Sequence, residues 1–206
     1  MPMQPQDRRT SLKQATHDLH SEVDALASRL DLTQRNGYSQ FLLASAGPII
    51  GLELALERSG VEASFTDWSY RRRRFALALD LHALELTADA VDARSPLSLS
   101  EMFGVLYVLE GSRLGAQVLL RRVGQSTDQA LLCARNSLRT NEPKLWVTFL
   151  RELENTHAPL DRAEMIEAAR YTFGLFRSAF AEYCVPVPRD YRSVYAGVHL
   201  KANREV

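Results

Sequence analysis

Cysteine is scarce in this chain of 206 residues: Cys133 and Cys184 stand alone, with no CxxC spacing and no partner pattern. They read as free thiols of a reducing cytosol, which excludes a disulfide scaffold. Excess charge of either sign is missing as well. Lys+Arg and Asp+Glu both number 25, so the net charge is zero. A general nucleic-acid binder, whose affinity rests on surplus cations facing phosphates, is disfavoured. Long unbroken apolar runs are absent too. The longest, 41–56, is interrupted by Gly47-Pro48 and by Glu53, too short and too broken to span a bilayer. Residues 1–9 are polar and lack the apolar stretch of a signal peptide, so a cytoplasmic location is expected. No alternating strand pattern of useful length, internal repeat or low-complexity segment occurs.

What remains is helical. The length suits one domain able to bury a full core, and 46% apolar with 24% charged residues is ordinary for a globular protein. Leu12, Ala15, Leu19, Val23, Leu26 and Leu30 recur at helical spacing and predict a helix over 11–30, capped by Thr10 or Ser11. A second is expected over 33–58 with a kink at Gly47-Pro48, and a third over 68–84. The fourth covers 101–123, capped by Ser98 or Ser100 and stopped at Gly124. Two more follow over 143–154 and 162–183. Linkers are short, so the expected fold class is all-α: a single-domain helical bundle over 10–184, with a flexible tail at 1–9 and an irregular one at 185–206.

The first helix carries two histidines. At about 100° per residue, His20 sits at the edge of the apolar stripe and His17 falls about 60° further toward solvent. Lys13 lies two turns before His20 on nearly the same side, roughly 10 Å along the axis. Asp24, one turn after His20, can accept a hydrogen bond from the ring nitrogen that a metal would leave free. A histidine satisfied by a neighbouring carbonyl is the plain alternative.

The fourth helix breaks propensity rules, holding Gly104, Gly111 and Gly115 in its interior at about 1 kcal/mol each relative to alanine. Gly111 and Gly115 share a face, and Ser112 and Ala116 are small too. Such a face lets a flat ligand approach the backbone, or else marks a close helix crossing. A histidine on one helix facing glycines on another makes a sandwich for a planar ligand.

Both segments carry a resemblance. Leu12-Lys13-Gln14-Ala15-Thr16-His17-Asp18-Leu19-His20 resembles the LKxATxxxH signature of the haem oxygenase family. Tyr107-Val108-Leu109-Glu110-Gly111-Ser112-Arg113-Leu114-Gly115-Ala116-Gln117 is similar to the family's distal helix in its bacterial form. The AARYTFGLF stretch from Ala168 resembles the last core helix. The resemblance implies a haem-sandwiching all-α fold with His20 as the iron ligand, Lys13 on a propionate and Asp24 as the carboxylate beside the histidine. Tyr107 and Phe173 would contact haem, and Gly111, Ser112, Gly115 and Ala116 would lie over its other face. It implies ring opening to biliverdin, CO and ferrous iron, using O2 and electrons from a separate reductase or ferredoxin, with a bilin-using photoreceptor or iron release downstream. No nucleotide-binding glycine loop is present to supply those electrons from within. Mammalian members place an aspartate where this chain has Ser112 and a second glycine where it has Ala116; bacterial members tolerate both changes.

Haem is both cofactor and substrate, so the protein need not supply a nucleophile. A non-catalytic haem-binding or haem-sensing protein on the same fold is the alternative function, and a relative of the same shape that binds another small molecule is a third. Other features read blandly. Glu154 and His157 form an isolated ExxH, half of a di-iron motif, and are expected at the surface. Arg71 to Arg74 is either a docking patch for an acidic redox partner or, on helical geometry, a solvated face. Trp68 and Trp146 are expected in the core.

Overall fold

Apolar side chains on almost every side of the second long helix are buried, from Tyr38 and Phe41 through Leu52 to Leu56. A helix that is apolar all round belongs at the centre of its fold. The structure, a computed structural model, describes residues 7–139 and 142–184. In chain order the helices are α1 (Asp7–Ala27), α2 (Arg35–Arg58), α3 (Val61–Ser64), α4 (Trp68–Arg71), α5 (Arg74–Ala83) and α6 (Leu99–Gly111). Then come α7 (Arg113–Val123), α8 (Gln129–Cys133), α9 (Asn136–Arg139), α10 (Pro143–Asn155) and α11 (Arg162–Tyr183). Among the described residues there is no strand, and the all-α expectation holds.

The most extensive packing joins α11 to α6, α1 and α2. Gly104 makes the first of these contacts possible. A Cβ there would stand 2.2 Å from the Met165 carbonyl oxygen and 2.9 Å from the Ala168 methyl, so only glycine lets the two backbones come this close. In α2, Gly51 plays the same part against the Val91 carbonyl, at 2.2 Å. Phe65, Phe103, Trp146 and Phe149 form an aromatic cluster that joins α6 to α10, with centroid separations of 5.4 to 6.3 Å. Both tryptophans are buried, as expected.

Several boundaries differ from expectation. Helix α1 begins at Asp7, so Thr10 and Ser11 lie within it rather than capping it. Helix α2 begins at Arg35 and runs through Gly47-Pro48 as one helix. By length and composition it is apolar enough to cross a membrane, but 67% of that apolar window is buried inside the protein. The expected third helix is divided. Arg72 is extended, and the backbone N–H groups of Arg73 and Arg74 donate to the Glu53 carboxylate at 2.6 and 3.1 Å. That carboxylate satisfies the first amides of α5, which lets a new helix begin there. The fourth helix starts at a capping box, in which Ser98 and Glu101 satisfy each other's backbone amides, and it is divided at Ser112. The short helices α3, α8 and α9 carry too few turns to show a period. The ends of α10 and α11 fall within a residue of expectation. The expected irregular tail at 185–206 lies outside the described residues.

Candidate functional site

Helix α1 presents one side to the core through Leu12 and Thr16, with Leu19, Val23 and Leu26 half-buried behind them. Both His17 and His20 are exposed, His20 with 61% of its side chain accessible. Contacts separate them, not burial. The His20 ring stands edge-on to Phe173 of α11, centroids 5.5 Å apart at 74°. Its Nδ1 lies 3.1 Å from Asp24 Oδ2. A ring held at one nitrogen and steadied by an aromatic leaves Nε2 as its accessible ligand atom. Lys13 is exposed.

On α6, Tyr107 is half-buried against Trp146, centroids 5.7 Å apart. Burial pushes its phenol up, partly offset by a hydrogen bond with Thr16 and by the Arg9 charge. Thr16 is one turn before His20, and Tyr107 one turn before Gly111. Tyr107 therefore lies near Thr16, on the side of α1 that turns to the core.

The three interior glycines have different surroundings. Gly104 is the close helix crossing. A Cβ on Gly111 would make ordinary contact with Trp146 at 3.7 and 3.8 Å, and one on Gly115 would meet no described atom within 4 Å. Neither glycine is required by packing. Leu114 and Val118, on the same side of α7, are 52% and 53% exposed, so this is an uncovered apolar surface beside a bare backbone. Ala116 does not join it: 2% exposed, it packs in the core.

Ser112 sits at the α6–α7 joint, its hydroxyl donating to the Leu109 carbonyl at 2.7 Å and accepting from Arg73 Nη1 at 3.0 Å. Beneath it lies a buried ionic cluster that the sequence reading missed. The solvated face expected for Arg71 to Arg74 is overturned at two positions, since Arg71 and Arg73 are 2% and 6% exposed. Arg71 meets Glu110 at 3.0 Å and grips Asp67 with two bonds of 2.7 and 2.8 Å. Arg113 pairs with Glu110 at 2.8 and 2.9 Å and donates to the Arg71 carbonyl. Arg72 and Arg74, half-buried, both bind Glu57. Burial drives Arg73 down to about 10, still cationic at neutral pH, and pushes Glu53 up against the opposing hydrogen bonds of Arg73 and Arg74. The signal was present: Glu53 and Glu110 are lone carboxylates within otherwise apolar stretches, which demands buried cations. The bonds between Glu53 and the Arg73–Arg74 backbone break the helical geometry that would have scattered the arginines.

The structure thus gathers His20, Asp24 and Phe173, joins Tyr107 to α1, and leaves Gly111 and Gly115 uncrowded. Glu154 is half-buried near α1, where the Arg9 backbone N–H reaches it at 3.4 Å, and His157 is exposed past the end of α10.

No protein-family model matches the sequence. A heme oxygenase of Xanthomonas campestris pv. campestris (strain 8004) is 31% identical over 152 residues, covering 72% of this chain and 92% of that protein. The chain belongs to the haem oxygenase family. The NO- and CO-bound heme oxygenase from Neisseria meningitidis has the same fold, with a TM-score of 0.66 and 22% identity over 88% of this chain and 94% of that one. The all-α arrangement is therefore the haem oxygenase fold, and His20, Gly111 and Gly115 lie in the two segments whose resemblance to this family was read from sequence.

Proposed function

We propose that this haem oxygenase family member binds haem through His20 and opens its ring with O2 and external electrons, giving biliverdin, CO and ferrous iron. One observation carries the reading: Gly115 leaves its space open on an exposed apolar face, whereas Gly104 in the same segment is fully accounted for by packing. Residues that cost helix stability without serving the bundle are residues kept for a ligand.

The residues fit haem. His20 offers Nε2 to the iron, with Asp24 fixing the ring tautomer and Phe173 its plane. Lys13 supplies a cation for a propionate, and Tyr107 a ring for contact with haem. Gly111 and Gly115 let the other ring face approach backbone. Bound haem supplies both the oxygen-activating iron and the ring that is opened. The chain's own part is to bind, orient and limit space: the glycines admit a small ligand over the iron and restrict where it lies. Neither glycine carries a side chain that could donate a proton there.

Electrons come from a separate reductase or ferredoxin in a cytoplasmic setting, and the bilin goes to a photoreceptor or the iron to cellular use. The committed hydroxyl of Ser112 favours the second reading, a haem carrier or sensor. Haem added to the protein should give a Soret band that decays to a bilin spectrum on adding ascorbate under air. A band that persists unchanged establishes the carrier.

A further inference from the structure

Arg73 is a buried arginine at the break between α4 and α5, and its guanidinium crosses to a different part of the chain. Nη1 donates to Ser112 Oγ at 3.0 Å and Nη2 to the Leu109 carbonyl at 3.3 Å. The Ser112 hydroxyl spends its own proton on the same carbonyl. Three groups therefore close on one point, the joint at which α6 ends and α7 begins. Arg73 is held from behind as well, because its backbone N–H donates to Glu53 at 2.6 Å.

We propose that Arg73 is the positioning residue of the α6–α7 joint, setting the angle at which the Gly111–Gly115 backbone faces the haem site and fixing Ser112 as an acceptor. The proposal rests on the haem-degrading reading above for its catalytic consequence, but not for its structural one. Arg71 and Arg113 fasten the joint to the core through Glu110. Arg73 reaches both the Ser112 hydroxyl and the Leu109 carbonyl. Its planar fork can serve two acceptors at once, which a lysine ammonium on a flexible stem does less well. A further consequence follows for Ser112. Its proton is committed to Leu109, so it does not deliver one to a ligand over the iron, and Ser112→Ala is the milder substitution.

The test uses Arg73→Met and Arg73→Lys in the full chain. Hydrogen exchange is measured without haem, followed by haem titration and bilin analysis. Arg73→Met should speed exchange of the amides of residues 109–116 at least tenfold while protection in α2 and α11 holds. Arg73→Lys should recover part of that protection. With haem, Arg73→Met should keep affinity within about threefold of the parent and shift the ratio of biliverdin isomers. Exchange at 109–116 that matches the parent, or a uniform loosening of α2 and α11 with it, overturns the proposal. So does an isomer ratio unmoved in Arg73→Met while the parent makes bilin. If the parent makes no bilin, the functional reading fails by itself, and the exchange pattern still decides the role of Arg73 at the joint.

Discussion

At the residue scale the account turns on one histidine of two neighbours. His20 has a carboxylate and an aromatic ring arranged around it, and His17 offers its carbonyl to Ser21. His20→Ala should abolish the Soret band of the haem complex or weaken it greatly, and His17→Ala should leave it near the parent; optical titration decides, and the reverse pattern removes His20 from the iron. Lys13 is exposed, so its pairing with a propionate would be screened and worth on the order of 1 kcal/mol. Lys13→Ala should weaken haem binding severalfold or change the isomer ratio without lowering the melting temperature. Unchanged affinity and isomers would exclude it. Much of this site was legible in the sequence because helical phase alone puts Lys13, His20 and Asp24 on one side of α1. The partner Phe173 was named from resemblance, since its closeness to His20 depends on how α11 lies across α1. Ala116 is packed in the core, 2% exposed; smallness in the sequence does not say which way a residue points.

At the scale of elements, the glycines of α6 and α7 divide into one that packing requires, Gly104, and two that it does not, Gly111 and Gly115. Gly104→Ala forces a methyl into the Met165 carbonyl and should destabilise the fold by about 1–3 kcal/mol, as overpacking does. Gly115→Ala has open space and should stabilise the helix by up to about 1 kcal/mol. Thermal denaturation of the two apoproteins checks this directly, and a destabilised Gly115→Ala would show that the face is packed. Gly115→Leu should then impair haem binding or ligand access without costing the apoprotein its helical circular dichroism. Helix periods predicted the long elements well, and the ends of α10 and α11 nearly to the residue. The breaks at Arg72 and Ser112 were not legible. Both are made by long-range bonds, from Glu53 at the first and from Arg73 at the second, and no local propensity encodes a partner 20 or 39 residues away.

For the whole molecule, acid stability depends on the ionic contacts joining α2 to α4 and α5. Burial pushes the Glu57 carboxyl up, but hydrogen bonds from Arg74, Trp68 and Arg72, with the Arg74 charge, hold it below its ordinary value of 4.5. A group lowered on folding contributes stability above its unfolded value, and loses it as pH falls through the folded one. Glu53 runs the other way: raised by burial, it favours the fold below 4.5 and loses that contribution as pH rises through its folded value. Glu57→Gln should therefore lower the melting temperature at pH 7 and flatten its fall below about pH 4.5. Parallel acid limbs in parent and variant would show that the Glu57 contacts contribute nothing net. Fold class was readable from periodicity and the absence of strand patterns, whereas the ionic cluster beneath the distal joint required the tertiary structure.

We propose that α1 and the α6–α7 segment together serve to degrade haem rather than to carry it. Single-turnover absorption spectroscopy of the haem-loaded protein under air, with ascorbate as reductant, tests it most directly. Loss of the Soret band with growth of a biliverdin absorption and release of CO is expected, all removed by His20→Ala. A stable Soret band with no bilin and no CO, from protein that binds haem one to one through His20, would contradict it.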